Sequence, residues 1–253
     1  MKVLRETWIV FIHSLRVALR NPMTIIVGLL QPITWLLLFA PLLKNLPSTA
    51  AFSSAEAINI FTPGMLVMLA PITALFSGIG LVVELRGGVL ERLRVTPSSR
   101  LAIVLGKALR DLVVLFLQGI LLILVAWIMG LRLHFVGMAI GIVLMLIVGL
   151  LMVAASYATA LTVQNENVVA AISNTLLLPL LLLSGLILPL ELAPRWMQVA
   201  ATVNPLAYTV EAMRKLFVGQ ITNDAVLQGF LVTTILAGLA LFWATRSFRR
   251  ALA

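Results

Sequence analysis

The amino-acid sequence predicts an all-α integral membrane protein. It would have six transmembrane helices, an N-terminal amphipathic interfacial helix, a short helix in the loop after the second span, and a re-entrant helical segment after the fifth. Three observations carry this expectation. Hydrophobic residues make up 62% of the 253 and charged residues 11%, with a mean hydropathy of +1.13. A soluble globule of this size has too little interior to hide that share, which excludes a cytosolic enzyme and a disordered chain. Next, six runs hold no Asp, Glu, Lys, Arg or His: Met23–Leu43, Ile60–Val83, Leu112–Leu131, Phe135–Val163, Val168–Leu190 and Ala225–Thr245. About 20 helical residues cross a hydrocarbon layer of roughly 30 Å. Finally, the net charge of +9 is unevenly placed. Basic residues gather before the first run, between the second and third, and after the sixth, whereas the alternate loops hold only Lys44, Arg132, Arg195, Arg214 and Lys215. The positive-inside rule then puts both termini in the cytoplasm and gives the net charge a membrane meaning, with no nucleic-acid partner. The chain has no cysteine, so disulfides and thiolate metal sites are excluded, and no metal site is expected.

Residues 1–22 are the first element. Leu4, Trp8, Phe11, Ile12, Leu15, Ala18 and Leu19 share one helical face, with Lys2, Arg5, His13, Arg16 and Arg20 opposite. Such a helix lies in the membrane interface and contacts the bilayer directly. The basic residues interrupt any signal-peptide core. Arg5, Trp8, Phe11 and Arg16 mark an elbow that braces a docking surface, or a plain anchor, since the same physics serves both. Asn21-Pro22 turns the chain into the first span.

The loop over 84–100 follows the second span. Gly87-Gly88 permits a sharp turn, Val89–Val95 favours a helix, and Thr96-Pro97-Ser98-Ser99 breaks it and offers a hydroxyl cap to the next. Charged and apolar sides suit insertion into a partner's groove, although a basic loop that only fixes topology has the same charge. No internal repeat or linker divides the chain, so residues 1–253 read as a single domain.

After the fifth span, Pro189, Pro194 and Pro205 break 190–217 into short pieces, and Trp196 and Tyr208 suit an interface. Broken helices at membrane depth survive where protein or a watery cavity satisfies their backbone, which favours an outer gate built on Pro189, Pro194, Trp196, Asn204, Pro205 and Tyr208 over a plain interfacial loop. The six runs contain no ionisable residue, and Glu84, Asp111 and Glu166 sit near span ends, which weighs against a proton-driven carrier. No Gly-x4-Gly-Lys-Ser/Thr loop is present, so ATP hydrolysis by this chain is not expected. Among the sparse polar residues of the spans, Thr73, Ser77, Asn174 and Thr175 are the candidates to line a path. Gln118, Ser156, Tyr157, Thr159 and Ser184 are candidates with them, interhelical hydrogen bonding is the alternative for each, and Asn174 and Thr175 are the foremost lining residues. The leucines of 176–183 suggest a greasy wall and an amphiphilic or lipid-like cargo.

The stretch VLERLRVTPSSRLAIVLGKAL, with Gly88, Glu91-Arg92-Leu93, Thr96-Pro97, Ser98 and Gly106-Lys107, resembles the segment after the second span of ABC-2 permeases. These are the membrane subunits of type 2 ATP-binding-cassette exporters. Pro189, Pro194, Trp196, Asn204-Pro205-Leu206, Tyr208 and Arg214 are similar to the family's outer segment. The likeness runs over nearly the whole chain and is nearest the drug-exporter branch, that of the daunorubicin-exporter permease. Val89 departs from it, since many relatives have Thr there. The resemblance implies that the cytoplasmic helix is a coupling helix docking into a separate ATP-binding-cassette ATPase, through Gly88, Leu90, Glu91, Arg92, Leu93, Arg94, Thr96 and Pro97. It implies two permease copies, as a homodimer, with two ATPase subunits that use ATP and Mg, no cofactor being held by this chain. It also implies a multi-pass protein of a prokaryotic cell (inner) membrane that exports a hydrophobic or amphiphilic substrate, a drug or lipid. Export of a lipid-linked saccharide through the same fold is the alternative, and a membrane enzyme or assembly factor is the alternative of another class.

Overall fold

The structure, a computed structural model, describes residues 2–20, 23–44, 54–89, 100–132, 134–186, 190 and 193–251. Among them there are helices and no strand. They are α1 (Lys2–Arg20), α2 (Met23–Lys44), α3 (Ser54–Glu84), α4 (Arg100–Ile128), α5 (Phe135–Val163), α6 (Glu166–Leu182), α7 (Arg195–Ala201), α8 (Pro205–Phe217) and α9 (Asp224–Ala251). A wide turn, Leu85–Val89, extends α3 and contains Gly87-Gly88.

Within the described residues, four stretches are long and apolar enough to cross a membrane: Ile58–Gly87, Ala102–Ile128, Phe135–Val163 and Asp224–Phe248. Val3–Arg20 and Ile25–Leu38 form a pair bent by 64°, which would make a fifth if counted as one broken span. The expected fourth run coincides with α5. The charge-free third run is the inner part of a longer helix, because α4 starts at Arg100, just after the expected cap at 96–99, and continues through Lys107, Arg110 and Asp111 before it. Those polar residues are therefore inside a long helix and not in a loop.

The fifth run needs a correction. The helix expected to reach Leu190 stops at Leu182, a length of 17 residues. Pro179 removes one backbone donor in its last turn, and Gly185 adopts φ +68, a left-handed value that costs a glycine little. The freed carbonyls find side-chain donors: Asn204 Nδ2 donates to Leu180 O at 2.7 Å, and Arg214 donates to Gly185 O at 2.7 Å. The chain nevertheless travels far along α3. At one extreme Arg86 pairs with Glu166 at 3.3 Å, and at the other Leu186 O lies where a Cβ on Gly64 would meet it at 2.6 Å. Twenty-two helical residues rise about 33 Å.

These contacts define two ends. One carries α1, the C-terminus of α3, the start of α4 and the α5–α6 turn. There Gln164 takes a left-handed φ of 52, and Asn165 caps α6 by accepting from Asn167 N and Val168 N. The other carries the Asn59 to Arg132 contact, where Arg132 N donates to Oδ1 at 3.0 Å, together with α7 and α8.

α5 is the central helix, packed on α3 and α9. Its small residues make close approach possible, in the way small residues do between helices in lipid. A Cβ on Gly137 would stand 1.9 Å from Leu216 O. On α9, a Cβ on Gly229 would stand 2.6 Å from Ala212 Cβ and 3.0 Å from Tyr208 O. α8 is thereby clamped between α5 and α9, with Leu206, Val210, Met213 and Leu216 buried.

Candidate functional site

At the α1 end a buried polar cluster joins α3, α4 and α5. Asp111 on α4 is 3% exposed and Tyr157 on α5 is 1% exposed. The Tyr157 hydroxyl donates to Asp111 Oδ2, and the Arg110 guanidinium pairs with Oδ1 of the same carboxylate at 2.5 Å. A charge in so dry a place survives only when paired and hydrogen-bonded, and this carboxylate is both. One turn earlier on α4, Lys107 pairs with Glu84 at the end of α3. The Arg86–Glu166 pair then ties α3 to α6. Two ion pairs thus fasten the ends of α3, α4 and α6 to one another, while Arg110–Asp111 lies within α4.

A second network lies deeper on α4. Thr73 donates to Gln118 Oε1 at 3.0 Å, and Gln118 Nε2 donates to Ile25 O on α2 at 3.2 Å. Ser77 donates to Thr73 O at 2.8 Å, and Ser156 on α5 donates to Ala74 O at 2.6 Å. A cavity of about 340 Å³ opens beside these groups, between α1, α2, α3 and α4, with Thr73, Ser77, Arg110, Asp111 and Gln118 in its wall. A neighbouring cavity of about 470 Å³ lies under α1 and shares Val17 and Arg110 with the first.

The predicted path residues divide. Thr73 and Ser77 are buried and stand in the cavity wall. Asn174 and Thr175 are exposed on α6 in the single chain and are not brought to that wall. The elbow residues stand on α1, with Arg5, Trp8 and Arg16 exposed and Phe11 half-buried. The Trp8 and Phe11 rings lie 5.4 Å apart. The face of α1 that packs inward is not its apolar stripe. Leu4, Trp8 and Leu19 point outward, while Thr7 and Val10 meet α4, where a Cβ on Gly106 would stand 2.8 Å from Val10 and 2.9 Å from Thr7 O. Without a side chain at Gly106 the two backbones come together there, and the greasier stripe of α1 is left free to meet lipid.

Of the coupling residues, Gly88 lies in the wide turn after α3. Leu90, Glu91, Arg92, Leu93, Arg94, Thr96 and Pro97 lie outside the described residues, as does Pro189 of the outer segment. The rest of that segment forms two short helices, α7 and α8. Pro194 precedes α7 and Trp196 is exposed on it. Asn204 is buried and caps α8, accepting from Leu206 N at 3.0 Å, with Pro205 in the first turn, where its missing N–H costs nothing. Tyr208 donates to Thr202 O at 2.9 Å, closing the turn between the two helices. A cavity of about 320 Å³ lies there, lined by Ser184, Glu211, Arg214 and Lys215 among others.

Sequence reasoning left Asp111, Arg110, Lys107 and Glu84 as span-end residues. One signal was available: on a helix Lys107 and Asp111 fall on the same side, four residues apart, on a segment with no proline between Arg100 and Leu131. The partners across the bundle, Glu84 and Tyr157, gave no such sign.

Comparison with known proteins bears on what this bundle is for. Residues 5–218 match the model of the ABC-2 type transporter family. A protein of Cyanophora paradoxa named as a transport permease, ycf38, is 32% identical over 200 residues, covering 78% of this chain and 69% of that protein. Its namesake in Pyropia yezoensis is 32% identical over 210 residues with the same coverage. The daunorubicin resistance ABC transporter permease protein DrrB1 of Streptomyces coeruleorubidus is 28% identical over 235 residues, covering 90% of this chain and 79% of that protein. With its long apolar helices and no phosphate-binding loop, the chain belongs to the ABC-2 type transporter family, as a multi-pass membrane permease without an ATP-binding motif of its own.

Proposed function

We propose that the chain is the permease of an ATP-driven exporter that moves a hydrophobic or amphiphilic molecule, and that it works as a homodimer with two ATPase subunits. Both termini are placed in the cytoplasm of a prokaryotic cell, with α1 in the inner interface and α7–α8 as a re-entrant outer gate. α2, α3, α4, α5, α6 and α9 are the six spans. The depth of 166–186 along α3 supports counting α6 despite its 17 residues, because Glu166 and Leu186 stand level with Arg86 and Gly64. ATP and Mg would be held by the partner.

One observation carries the coupling role. The two helix ends that flank residues 90–99 are fastened together by Glu84–Lys107, and α3 is fastened onward to α6 by Arg86–Glu166. A displacement applied to the segment between them reaches three helices at once. The name of the Streptomyces relative supports an amphiphilic drug-like cargo.

The test is co-reconstitution with the cognate ATPase and ATP-dependent efflux of an amphiphilic dye from proteoliposomes. Replacing Glu91 and Arg92 together by alanine is expected to lower efflux about tenfold, the effect of losing roughly 1.4 kcal/mol at a docking contact, with membrane insertion unchanged. Wild-type efflux in that double variant overturns the coupling role.

A further inference from the structure

The two cavities under α1 lie at successive depths. On α4 the larger touches Ile103, Lys107 and Arg110, and the smaller touches Arg110, Val114 and Gln118. On α3 the larger touches Glu84 at the helix end, and the smaller touches Phe76, Ile79 and Gly80. Val17 and Arg110 belong to both walls, so the two are neighbours. The span of α4 runs over 27 residues to Ile128. About 20 of them fill the hydrocarbon, so counted back from Ile128 the boundary falls near Ala108. The larger cavity is therefore at headgroup depth, and the smaller reaches from Arg110 to Gln118, about 12 Å, into the acyl region. Ile25, Phe76, Ile79 and Val114 make the smaller one apolar. The polar side chains in its wall, Thr73, Ser77, Asp111 and Gln118, are buried and bonded within the protein. A charged chamber leading into an apolar one has the outline of a lipid.

The charges of the larger cavity choose the head. Lys107 and Arg110 stand in its wall against one carboxylate, Glu84, and the imidazole of His13 and the hydroxyl of Ser14 join them. Glu84 is taken by Lys107. Asp111, the counter-ion of Arg110, is 3% exposed and stands in the wall of the smaller cavity, outside this one. α1, which covers the site, adds exposed Arg5, Arg16 and Arg20, with Glu6 its one acidic residue. The chamber is thus positive, and basic pockets at the cytoplasmic end of spans draw anionic headgroups. His13 is exposed and Ser14 half-buried, so a ligand can reach both, whereas Lys107 and Arg110 are set deeper and act through their charge. From the stacked cavities and this excess of positive charge, we infer that the site under α1 holds an anionic glycerophospholipid of the phosphatidylglycerol kind. Its phosphate lies beside His13 and Ser14, and an acyl chain enters the smaller cavity along Phe76 and Val114. The lipid is a standing component of the protein, distinct from its cargo. Its place depends on α1 lying in the inner interface, as proposed above.

Three variants separate the parts of the site. His13→Glu places a carboxylate in the wall of the larger cavity without touching an ion pair. Gly80 lines the smaller cavity and a Cβ there meets nothing within 4 Å, so Gly80→Leu fills the acyl chamber. Arg16→Gln removes the same single charge from α1 as His13→Glu, His13 counted neutral, but at an exposed position outside either wall. The experiment is native mass spectrometry of the chain purified from mixed micelles holding equal phosphatidylglycerol, phosphatidylethanolamine and phosphatidylcholine. The wild type is expected to retain phosphatidylglycerol at least about fivefold over each of the others, the preference that one unbalanced cation gives. His13→Glu and Gly80→Leu are expected to lose that preference while melting in lipid-free detergent at the wild-type temperature, and Arg16→Gln is expected to keep it. Equal retention of the three lipids by the wild type overturns the inference. So does an undiminished preference in both His13→Glu and Gly80→Leu, or an equal loss in His13→Glu and Arg16→Gln, which would assign the preference to the surface charge of α1. Displacement of the lipid by millimolar glycerol phosphate overturns it too, since a soluble anion would then be the ligand. Retention is read without ATPase or cargo, so a failure here leaves the export reading standing.

Discussion

Asp111 and Tyr157 are 46 positions apart and reach each other only because α4 and α5 pack side by side. Their pairing has consequences that can be measured. Tyr157→Phe removes a donor from a buried carboxylate and is expected to cost about 1–3 kcal/mol. Asp111→Leu leaves the Arg110 charge without its partner and is expected to cost more, about 3–5 kcal/mol. Replacing both, Arg110→Met with Asp111→Leu, removes the pair together and is expected to recover most of that loss, since an apolar pair of similar volume is often as stable as a buried ion pair. Thermal unfolding of the purified variants in detergent reads all three. A double variant as unstable as Asp111→Leu alone would mean that Arg110 is not the relevant counter-charge. At this scale the sequence was least legible. It gave the residue types, and it marked Thr73, Ser77, Gln118 and Tyr157 as polar groups within spans, but which of them meet depends on helix rotation, which a charge-free run does not report.

The helices themselves were easier to read. Phe135–Val163 emerges at its expected bounds because its flanks, Arg132 and Asn165-Glu166, are polar and its interior has no proline. α6 stops early for a tertiary reason: Asn204, the cap of α8, takes the Leu180 carbonyl of its last turn and Arg214 of α8 takes the Gly185 carbonyl just beyond it, so the helix can stop in an apolar sequence. Asn204 thus serves two elements, capping α8 through Oδ1 and α6 through Nδ2. Asn204→Ala is expected to lose about 1–2 kcal/mol from the cap alone and more from the unsatisfied Leu180 carbonyl. Asn204→Asp, which keeps the cap but loses the donor, should fall between the two. Gly137→Ala tests the clamp on the other side of α8, where a Cβ meets backbone that cannot rotate away, and about 1–3 kcal/mol is expected for such overpacking. Proteolysis of the 183–217 region, compared between wild type and variants, checks whether the loss is local, and wild-type resistance in Asn204→Ala would remove the Asn204 link between α6 and α8 from the account.

Across the whole molecule the two ends differ in kind. The α1 end is held by ion pairs, and the α7–α8 end by carbonyl-capping side chains and glycine contacts. Their assignment to opposite membrane faces rests on charge counting and on the reach of 166–186, so the topology of α6 is the point at which the architecture is most open to test. The chain contains no cysteine, so single cysteines can be introduced without a background. Asn167 at the start of α6, Gln198 on α7 and Gln220 after α8 are all exposed. With a membrane-impermeant maleimide on intact cells, Gln198→Cys and Gln220→Cys are expected to label and Asn167→Cys to remain unlabelled, and inverted vesicles are expected to reverse the pattern. Labelling of Asn167→Cys and Gln198→Cys from the same face would mean that the chain turns back inside the bilayer after α6. The α7–α8 pair would then belong to the same side as α1, and no outer gate could be built from it. Opposite labelling, by contrast, requires the 17-residue helix and its four-residue extension to cross together. That is possible only because Asn204 satisfies a carbonyl of the helix's last turn and Arg214 satisfies those of the extension where lipid cannot.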